Sequence, residues 1–517
     1  MSKSDFQTVS VLPVDEYNQK LVSYVHPPNW VNPKPAECYN LVVIGGGTAG
    51  LVVAAGAAGL GLGLKVALIE KHLMGGDCLN VGCVPSKSII RSARVVGEIW
   101  EAKRFGVDIP REQVQVDFAS VMERMRRIRA NISPHDSAQR FQDIGVDVFL
   151  GSGRFVSGNT IEVGDQKLKF KKAVIATGAR AAQPSIQGIE QAGYLTNETV
   201  FSLTERPQRL AVIGGGAIGC ELAQTFRRFG CEVMLFHSGS HLLNKEDADA
   251  AEIIQNVFIH EGINLVLNSK ITSVEKTATG KTVYFSRNNN TEESITVDEI
   301  LVGTGRSPNV EKLNLEAVGV EYDQRHGVKV NDYLQTTNPN IYAAGDICMN
   351  WKFTHAADAA ARIVIKNTLF SPFGLGRAKL SDLVMPWVTY TDPEIAHVGM
   401  YEHEAKEKGI NVDTITIPFS SVDRAIADGE EVGFVKIHHQ QGSDKILGAT
   451  IVARHAGEMI SEVTTAIVGK VGLNKLSGVI HPYPTQAEGI KKAADSYRRT
   501  LLTPTSKKLL GLLTKIS

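Results

Sequence analysis

Two segments of this chain repeat one another, and the repeat constrains the fold more than any other feature. "LVVIGGGTAGL" begins at Leu41 and "LAVIGGGAIGC" begins at Leu210. Each is a β-branched run, then G-x-G-x-x-G, then an apolar helical pattern. Each continues into a further strand, "LKVALIE" at 64–70 and "CEVMLF" at 231–236. Strand, tight turn, helix and strand make a βαβ unit, and the chain holds two. One G-x-G-x-x-G is a weak signal, but two in strand–turn–helix context are strong. They predict an α/β protein with two Rossmann-like nucleotide-binding domains. Gly45 and Gly214 permit the turn, Gly47 and Gly216 let backbone approach a pyrophosphate, and Gly50 and Gly219 let helix pack on strand. The helix N-terminus then meets the phosphates with free N–H groups.

The strand after each turn chooses the ligand. Glu70 ends the first one, where an acid binds a ribose hydroxyl pair. His237 stands at the matching place in the second unit, followed by Ser238. Without an acid there, a 2′-phosphate meets no repulsion. NADPH is therefore favoured, with NADH as the alternative.

Residues 39–64 carry no charge and exceed the roughly 20 residues that cross a bilayer. Eight of them are glycine, so strand, turn and buried helix explain the run better than a membrane span. The chain has 55 basic and 55 acidic residues, which gives no support for nucleic-acid binding. Its 517 residues predict several domains. Six cysteines in such a length make no secreted disulfide framework, and the N-terminus shows no apolar signal region. A cytoplasmic, reducing compartment is expected.

Between the two units, residues 84–104 and 118–142 read as helices. The second carries Glu123, Arg124, Arg126, Arg127 and Arg129, which read as a solvated face. Short strands follow over 147–177. From about 300 the nucleotide-type pattern returns with "VGTGRSPN" and "IYAAGDI". From about 380 a new domain begins, with strands and then helices at 455–470 and 486–497. The stretch 420–430 reads as a surface or interface loop.

"GGDCLNVGCVPSK", residues 75–87, is the most informative segment. Cys78 and Cys83 lie five apart, which is not the spacing of a zinc knuckle, and no second pair completes a metal site. An i, i+5 pair does not meet on a regular helix at about 100° per residue. The loop Asn80–Val81–Gly82 must bend for the sulfurs to bond, and such a disulfide is readily reduced. Pro85 suggests a helix starting here, where a thiolate is favoured.

These motifs together resemble the FAD-dependent pyridine nucleotide–disulfide oxidoreductases, the class I family of glutathione reductase, lipoamide dehydrogenase and mercuric reductase. The resemblance covers about residues 38–497. It rests on Gly45–Gly50 with Glu70, Cys78–Cys83 with Lys87, "ATG" at 176–178, Gly214–Gly219 with Glu221, "GTGR" at 303–306, "AAGD" at 343–346 and "YPTQAE". It implies an N-terminal extension (1–37), an FAD domain (38–185 and 300–378), an NAD(P) domain (186–299), an α+β dimerisation domain (379–497) and a basic tail (498–517). FAD would be held by Gly45, Gly47, Gly50, Glu70, Lys87, Thr177, Gly178, Gly305 and Asp346. NAD(P)H would be held by Gly214, Gly216, Gly219 and His237. Cys83 would be the thiolate facing the flavin, Cys78 the thiol that meets substrate, and Lys87 with Glu221 a pair tuning the flavin. No resident metal is implied.

Relatives that reduce disulfides complete the site across the homodimer with H-P-T-x-x-E. In "IHPYPTQAEG", Pro484, Thr485 and Glu488 fix the register, so Tyr483 takes the histidine's place and His481 falls outside it. A phenol with pKa near 10 is a poor proton acceptor at neutral pH. A metal ion held between thiolates needs no such transfer, and mercuric reductases carry tyrosine here. The resemblance is therefore nearest to mercuric reductase-like members. The chain shows no C-x-x-C domain and no paired cysteines in "TSKKLLGLLTKIS", so a mercury relay is not expected. A metal ion or small acceptor is the expected electron sink. Disulfide, dihydrolipoamide and quinone substrates remain open, as does a flavin-bound redox sensor without fast turnover. The basic tail invites contact with an anionic membrane, but Pro504 splits it and packing on the dimer is the simpler reading.

Overall fold

The computed structural model describes residues 9–287 and 292–515. The chain divides into two compact units. One comprises residues up to Gly214 with Thr225–Met234 and Lys270–Leu383, and the other Gly215–Gln224, Leu235–Ser269 and Val384 onward.

The first unit is built on a sheet whose centre is β1 (Tyr39–Ile44). β1 pairs in parallel with β2 (Val66–Glu70) on one side and with the end of β6 (Gln166–Ile175) on the other. β3 (Val146–Leu150) extends the sheet beyond β2, and the strand Ile341–Ala343 pairs with β6. β1, β2 and the end of β6 are rich in Val, Ile, Leu and Ala because both faces are covered there. The first half of β6 pairs antiparallel with β5 (Thr160–Val163), which pairs with β4 (Gly153–Ser157). One long strand thus serves both the nucleotide sheet and a meander.

Helix α1 (Glu16–Val25) precedes the sheet, and α2 (Thr48–Ala58) follows the first glycine turn. Gly45 has φ +109°, and a Cβ there would lie 2.2 Å from the Ala176 carbonyl oxygen. A Cβ on Gly50 would lie 1.8 Å from the Gly45 carbonyl oxygen. Gly50→Ala is therefore expected to open the turn at a cost of about 3 kcal/mol. The purified variant should show a lowered melting temperature in a thermal unfolding scan.

Helices α3 (Gly76–Asn80) and α4 (Cys83–Glu101) carry the two cysteines, and α5 (Phe118–Ile132) packs against them. The expected long helix over 118–142 is interrupted. A 3-10 turn occupies Ser133–Asp136, and Ser137 caps a new helix Ala138–Asp143. The face of α5 is not solvated throughout. Arg126 and Arg129 are only 8% and 3% exposed, because partners distant in sequence reach them.

The second unit holds a five-stranded antiparallel sheet. Its order is Pro386–Thr389, Glu394–Gly399, Ile446–Ala453, Phe434–Gln440 and Val412–Pro418. Helices Ala456–Val468 and Glu488–Thr500 cover it with Met459, Ile460, Ile490 and Tyr497 in its core. The expected loop over 420–430 instead contains the helix Asp423–Asp428. Pro504 opens a last helix, Pro504–Leu513, capped by the Thr503 side chain, with Leu510, Leu512 and Leu513 exposed. Among the described residues, no helix is long and apolar enough to cross a membrane.

His397 lies fully buried in this sheet, 2.9 Å from the Thr450 hydroxyl and 3.2 Å from the Gly399 carbonyl. Burial pushes its pKa down to about 3. The unfolded chain protonates this histidine near pH 6.5 while the folded chain does not. Its contribution is thus whole above pH 6.5 and is lost as pH falls towards 3. His397→Gln should remove about 2 kcal/mol of the stability lost between pH 7 and pH 5. Urea unfolding at the two pH values measures the difference.

Candidate active site

The bend that the cysteine spacing requires is present. α3 ends at Asn80 and α4 begins at Cys83, with Gly82 between at φ −133° and ψ −113°. A Cβ on Gly82 would lie 2.7 Å from the Asp77 carbonyl oxygen and 3.5 Å from the Cys78 Cα. The chain therefore folds back on itself, and the Cys78 and Cys83 thiols hydrogen-bond to one another. That bond, with burial, raises the Cys78 pKa strongly, while the Thr354 hydroxyl works against the shift. The shift disfavours negative charge on Cys78. Cys83 is the first residue of α4, and its Sγ lies 3.4 Å from Oγ1 of Thr354. Thr354 is itself the first residue of the helix Thr354–Leu369. Two helix N-termini thus converge on one sulfur, which favours negative charge there. The next residue, His355, stacks on Phe353 at 5.3 Å, so Thr354 is the residue that meets the thiols.

The redox loop rests on the first glycine turn. The Gly75 N–H donates to the Gly46 carbonyl at 2.8 Å, and a Cβ on Gly76 would sit 2.6 Å from the Gly47 Cα. Asp77, beside Cys78, is ion-paired with Arg306. Arg306 also lies 3.4 Å from Asp346 and donates to the Ala179 carbonyl at 2.8 Å. Burial opposes the Arg306 charge, but Asp77 and Asp346 outweigh it and hold its pKa up. Burial raises the pKa of Asp346. The sequence matched "GTGR" and "AAGD" separately and missed this Asp77–Arg306–Asp346 junction. Lys87 and Cys83 line an open groove of about 410 Å³ with Arg91, Arg124 and Ile128.

The residues around the first turn suit a dinucleotide. Gly47 caps α2 with no side-chain cap bond, and the first helical turn carries no acid, so its N–H donors face outward for phosphate. Glu70 is buried, and its carboxylate accepts the N–H groups of Gly46 at 2.6 Å and His72 at 2.7 Å. Each oxygen keeps a lone pair for a ribose hydroxyl. Thr177 donates its hydroxyl to the Asn309 carbonyl at 2.9 Å, and the Asn309 amide returns a bond to the Thr177 carbonyl at 2.9 Å. Its side chain thus braces the rim, while Gly178 and Gly305 adopt φ +66° and +135°.

At the second turn, Gly214 adopts φ +116°, and a Cβ on Gly216 would meet nothing within 4 Å. Nδ1 of His237 accepts the Gly215 N–H at 3.2 Å, and burial lowers its pKa. His237 thus stands at this turn where an acid would face a ribose. Gly219 and Cys220 are buried on the helix Ala217–Arg228. Glu221 is buried and accepts the Tyr390 N–H at 2.9 Å.

In the second unit, His481 and Tyr483 have different partners. Nε2 of His481 lies 2.8 Å from Glu462, and its side chain is nearly buried. Tyr483 is 71% exposed and donates its hydroxyl to Asp423 at 3.0 Å. Asp423 raises the Tyr483 pKa through that bond and through its charge. Glu488 opens the helix Glu488–Thr500, 3.7 Å from Lys492, and its Oε2 is buried without a hydrogen-bond partner. Asp423, rather than Glu488, is thus the carboxylate bonded to Tyr483. Nothing in the sequence near Tyr483 signals a partner sixty residues upstream.

The chain matches the pyridine nucleotide-disulphide oxidoreductase family over residues 39–361, and that family's dimerisation domain over residues 385–494. It belongs to that family. It is 35% identical to the mercuric reductase of Lysinibacillus sphaericus over 463 residues, 90% of this chain and 83% of that protein. It is 33% identical to the dihydrolipoyl dehydrogenase of Chlamydia muridarum over 461 residues, 87% of this chain and 95% of that protein. Among solved structures, it resembles the Cu(II) complex of the HOCl-induced flavoprotein disulfide reductase RclA from Escherichia coli. The TM-score is 0.78 at 27% identity, covering 90% of this chain and 100% of that one. This family member is an FAD-dependent flavoprotein oxidoreductase with an α/β fold and a homodimerisation domain. The open α2 N-terminus and the buried Glu70 fit the family's FAD.

Proposed function

We propose that this flavoprotein passes two electrons from NADPH to the Cys78–Cys83 disulfide and on to a soft metal ion or small acceptor, as mercuric reductase-like enzymes do. FAD, when bound, relays those electrons between the nicotinamide and the sulfurs. Reduction of the disulfide by two electrons and two protons gives the Cys78 and Cys83 thiols. Cys83, at two helix N-termini, is the sulfur that carries the charge beside the flavin. Cys78, the other sulfur of the pair, is the one that meets substrate. Lys87, which lines the groove beside Cys83, sets the field there. Gly214, Gly216 and Gly219 admit the pyridine nucleotide, and His237 presents no acid to a 2′-phosphate.

Tyr483 is the observation that chooses among acceptors. Cleaving a disulfide substrate into two thiols needs protons delivered near neutral pH. A phenol with its pKa raised further by Asp423 serves that poorly. Two-electron reduction of an ion held by both sulfurs needs no proton at the leaving group. A copper-bound relative of similar fold and relatives named mercuric reductase are consistent with this choice. The dihydrolipoyl dehydrogenase relatives favour the second reading, a disulfide-type substrate. Steady-state kinetics with NADPH and NADH against Hg(II) plus thiol, lipoamide, glutathione disulfide and quinones separate the readings. The proposal expects kcat/KM for the metal–thiol complex to exceed that for either disulfide by about 10²-fold. Equal or faster disulfide reduction overturns it.

A further inference from the structure

The N-terminal arm lies ahead of the family match, which begins at residue 39. It is nevertheless wired into the redox loop. Asp15 caps α1 and pairs with Arg126 at 2.5 Å. The Asn18 side chain is fixed by donating to the Pro13 carbonyl at 2.8 Å, and its oxygen accepts from Arg129 at 2.6 Å. The other arm of the Arg129 guanidinium donates to the Asn80 carbonyl at 2.6 Å. Asn80 stands between the two cysteines. Its carbonyl ends the short helix α3, where no helical partner exists, and its side chain donates to the carbonyls of Gly76 at 2.8 Å and Met74 at 3.1 Å. At the far end of α1, the Val25 carbonyl accepts the Met74 N–H at 3.1 Å, and His26 bonds the His72 carbonyl. Asn18 and Arg129 are buried at 2% and 3% exposure, so these bonds are not traded with water.

We propose that Arg129, held by Asn18 of the arm, is a positioning residue that keeps the Cys78–Cys83 loop bent for disulfide closure and so sets the pair's redox equilibrium. The inference rests on the reading of these cysteines as the redox pair. A loop free to straighten separates the sulfurs, which lowers their effective concentration and favours the dithiol. A structural prop alone would change stability without moving that equilibrium.

The test uses full-length, FAD-bearing protein equilibrated with oxidised and reduced dithiothreitol. In that exchange, protein dithiol plus oxidised dithiothreitol gives protein disulfide plus reduced dithiothreitol, two electrons and two protons passing between them. Quenching with an alkylating reagent and mass spectrometry then reports the free thiols at Cys78 and Cys83, independently of turnover. Asn18→Ala and Arg129→Gln should shift the equilibrium towards dithiol by about tenfold, or ~30 mV. Asn18→Asp, which keeps the acceptor, should restore the wild-type value. Should Arg129→Gln not fold, Asn18→Ala decides alone. A shift below threefold, or one that Asn18→Asp does not rescue, overturns the positioning role. A wild-type pair that never closes under oxidised dithiothreitol instead overturns the redox assignment itself.

Discussion

Replacing Cys83 with serine should abolish the long-wavelength thiolate-to-flavin absorbance of the reduced protein and cut turnover with dithiol-dependent acceptors by about 10³-fold or more. The expectation follows from where the sulfur sits. It is the first residue of α4 and lies 3.4 Å from the hydroxyl of the first residue of another helix. A serine hydroxyl at that place neither ionises at neutral pH nor forms a disulfide. Cys78→Ser should behave differently. It leaves Cys83 as the sole thiolate, so the absorbance should persist while the metal or disulfide acceptor is no longer reduced. A quinone that takes electrons directly from the flavin should survive both substitutions. A redox sensor without turnover would show the absorbance change in wild type but no acceptor reduction with any compound.

The second large effect is expected at Tyr483. Tyr483→His should raise kcat/KM for lipoamide or glutathione disulfide by about 10²-fold, the usual worth of a placed acid–base group. The gain should follow a group titrating near pH 6.5. Reduction of a metal–thiol complex should change by less than about tenfold, because it needs no proton at that position. Asp423 gives the substitution a ready partner, since it already accepts a hydrogen bond from the Tyr483 hydroxyl. A histidine there would gain the carboxylate that H-P-T-x-x-E relatives draw from the glutamate. Steady-state rates across pH 5.5–8.5 with both acceptor types measure the effect. An unchanged disulfide rate would show that the phenol is not what limits this substrate class.

The sequence made the nucleotide turns and the cysteine bend legible because each depends on local geometry. Gly45 is forced by its own φ of +109°, Gly50 by the Gly45 carbonyl five residues before it, and Gly82 by the need to fold Cys83 back over Cys78. The family match over 39–361 and 385–494 agrees with the fold those motifs imply. What stayed hidden depends on partners far away in the chain. Arg126 and Arg129 read as solvated because their neighbours are charged. Their partners, Asp15 and Asn18, lie 111 residues upstream. Thr354 was not singled out because only the folded chain brings its hydroxyl to Cys83. Arg306 lay inside a recognised motif, yet its pairing with Asp77 joins residues 229 apart. His481, which the register set aside, bonds Glu462, because the helix Ala456–Val468 supplies that carboxylate.

Anaerobic reduction of the purified flavoprotein with one equivalent of NADPH, quenched with an alkylating reagent and read by mass spectrometry, tests the central claim most directly. Electron transfer through the Cys78–Cys83 pair predicts that both cysteines, closed before addition, become alkylated in step with the rise of long-wavelength absorbance. Flavin bleaching while Cys78 and Cys83 stay closed would contradict it.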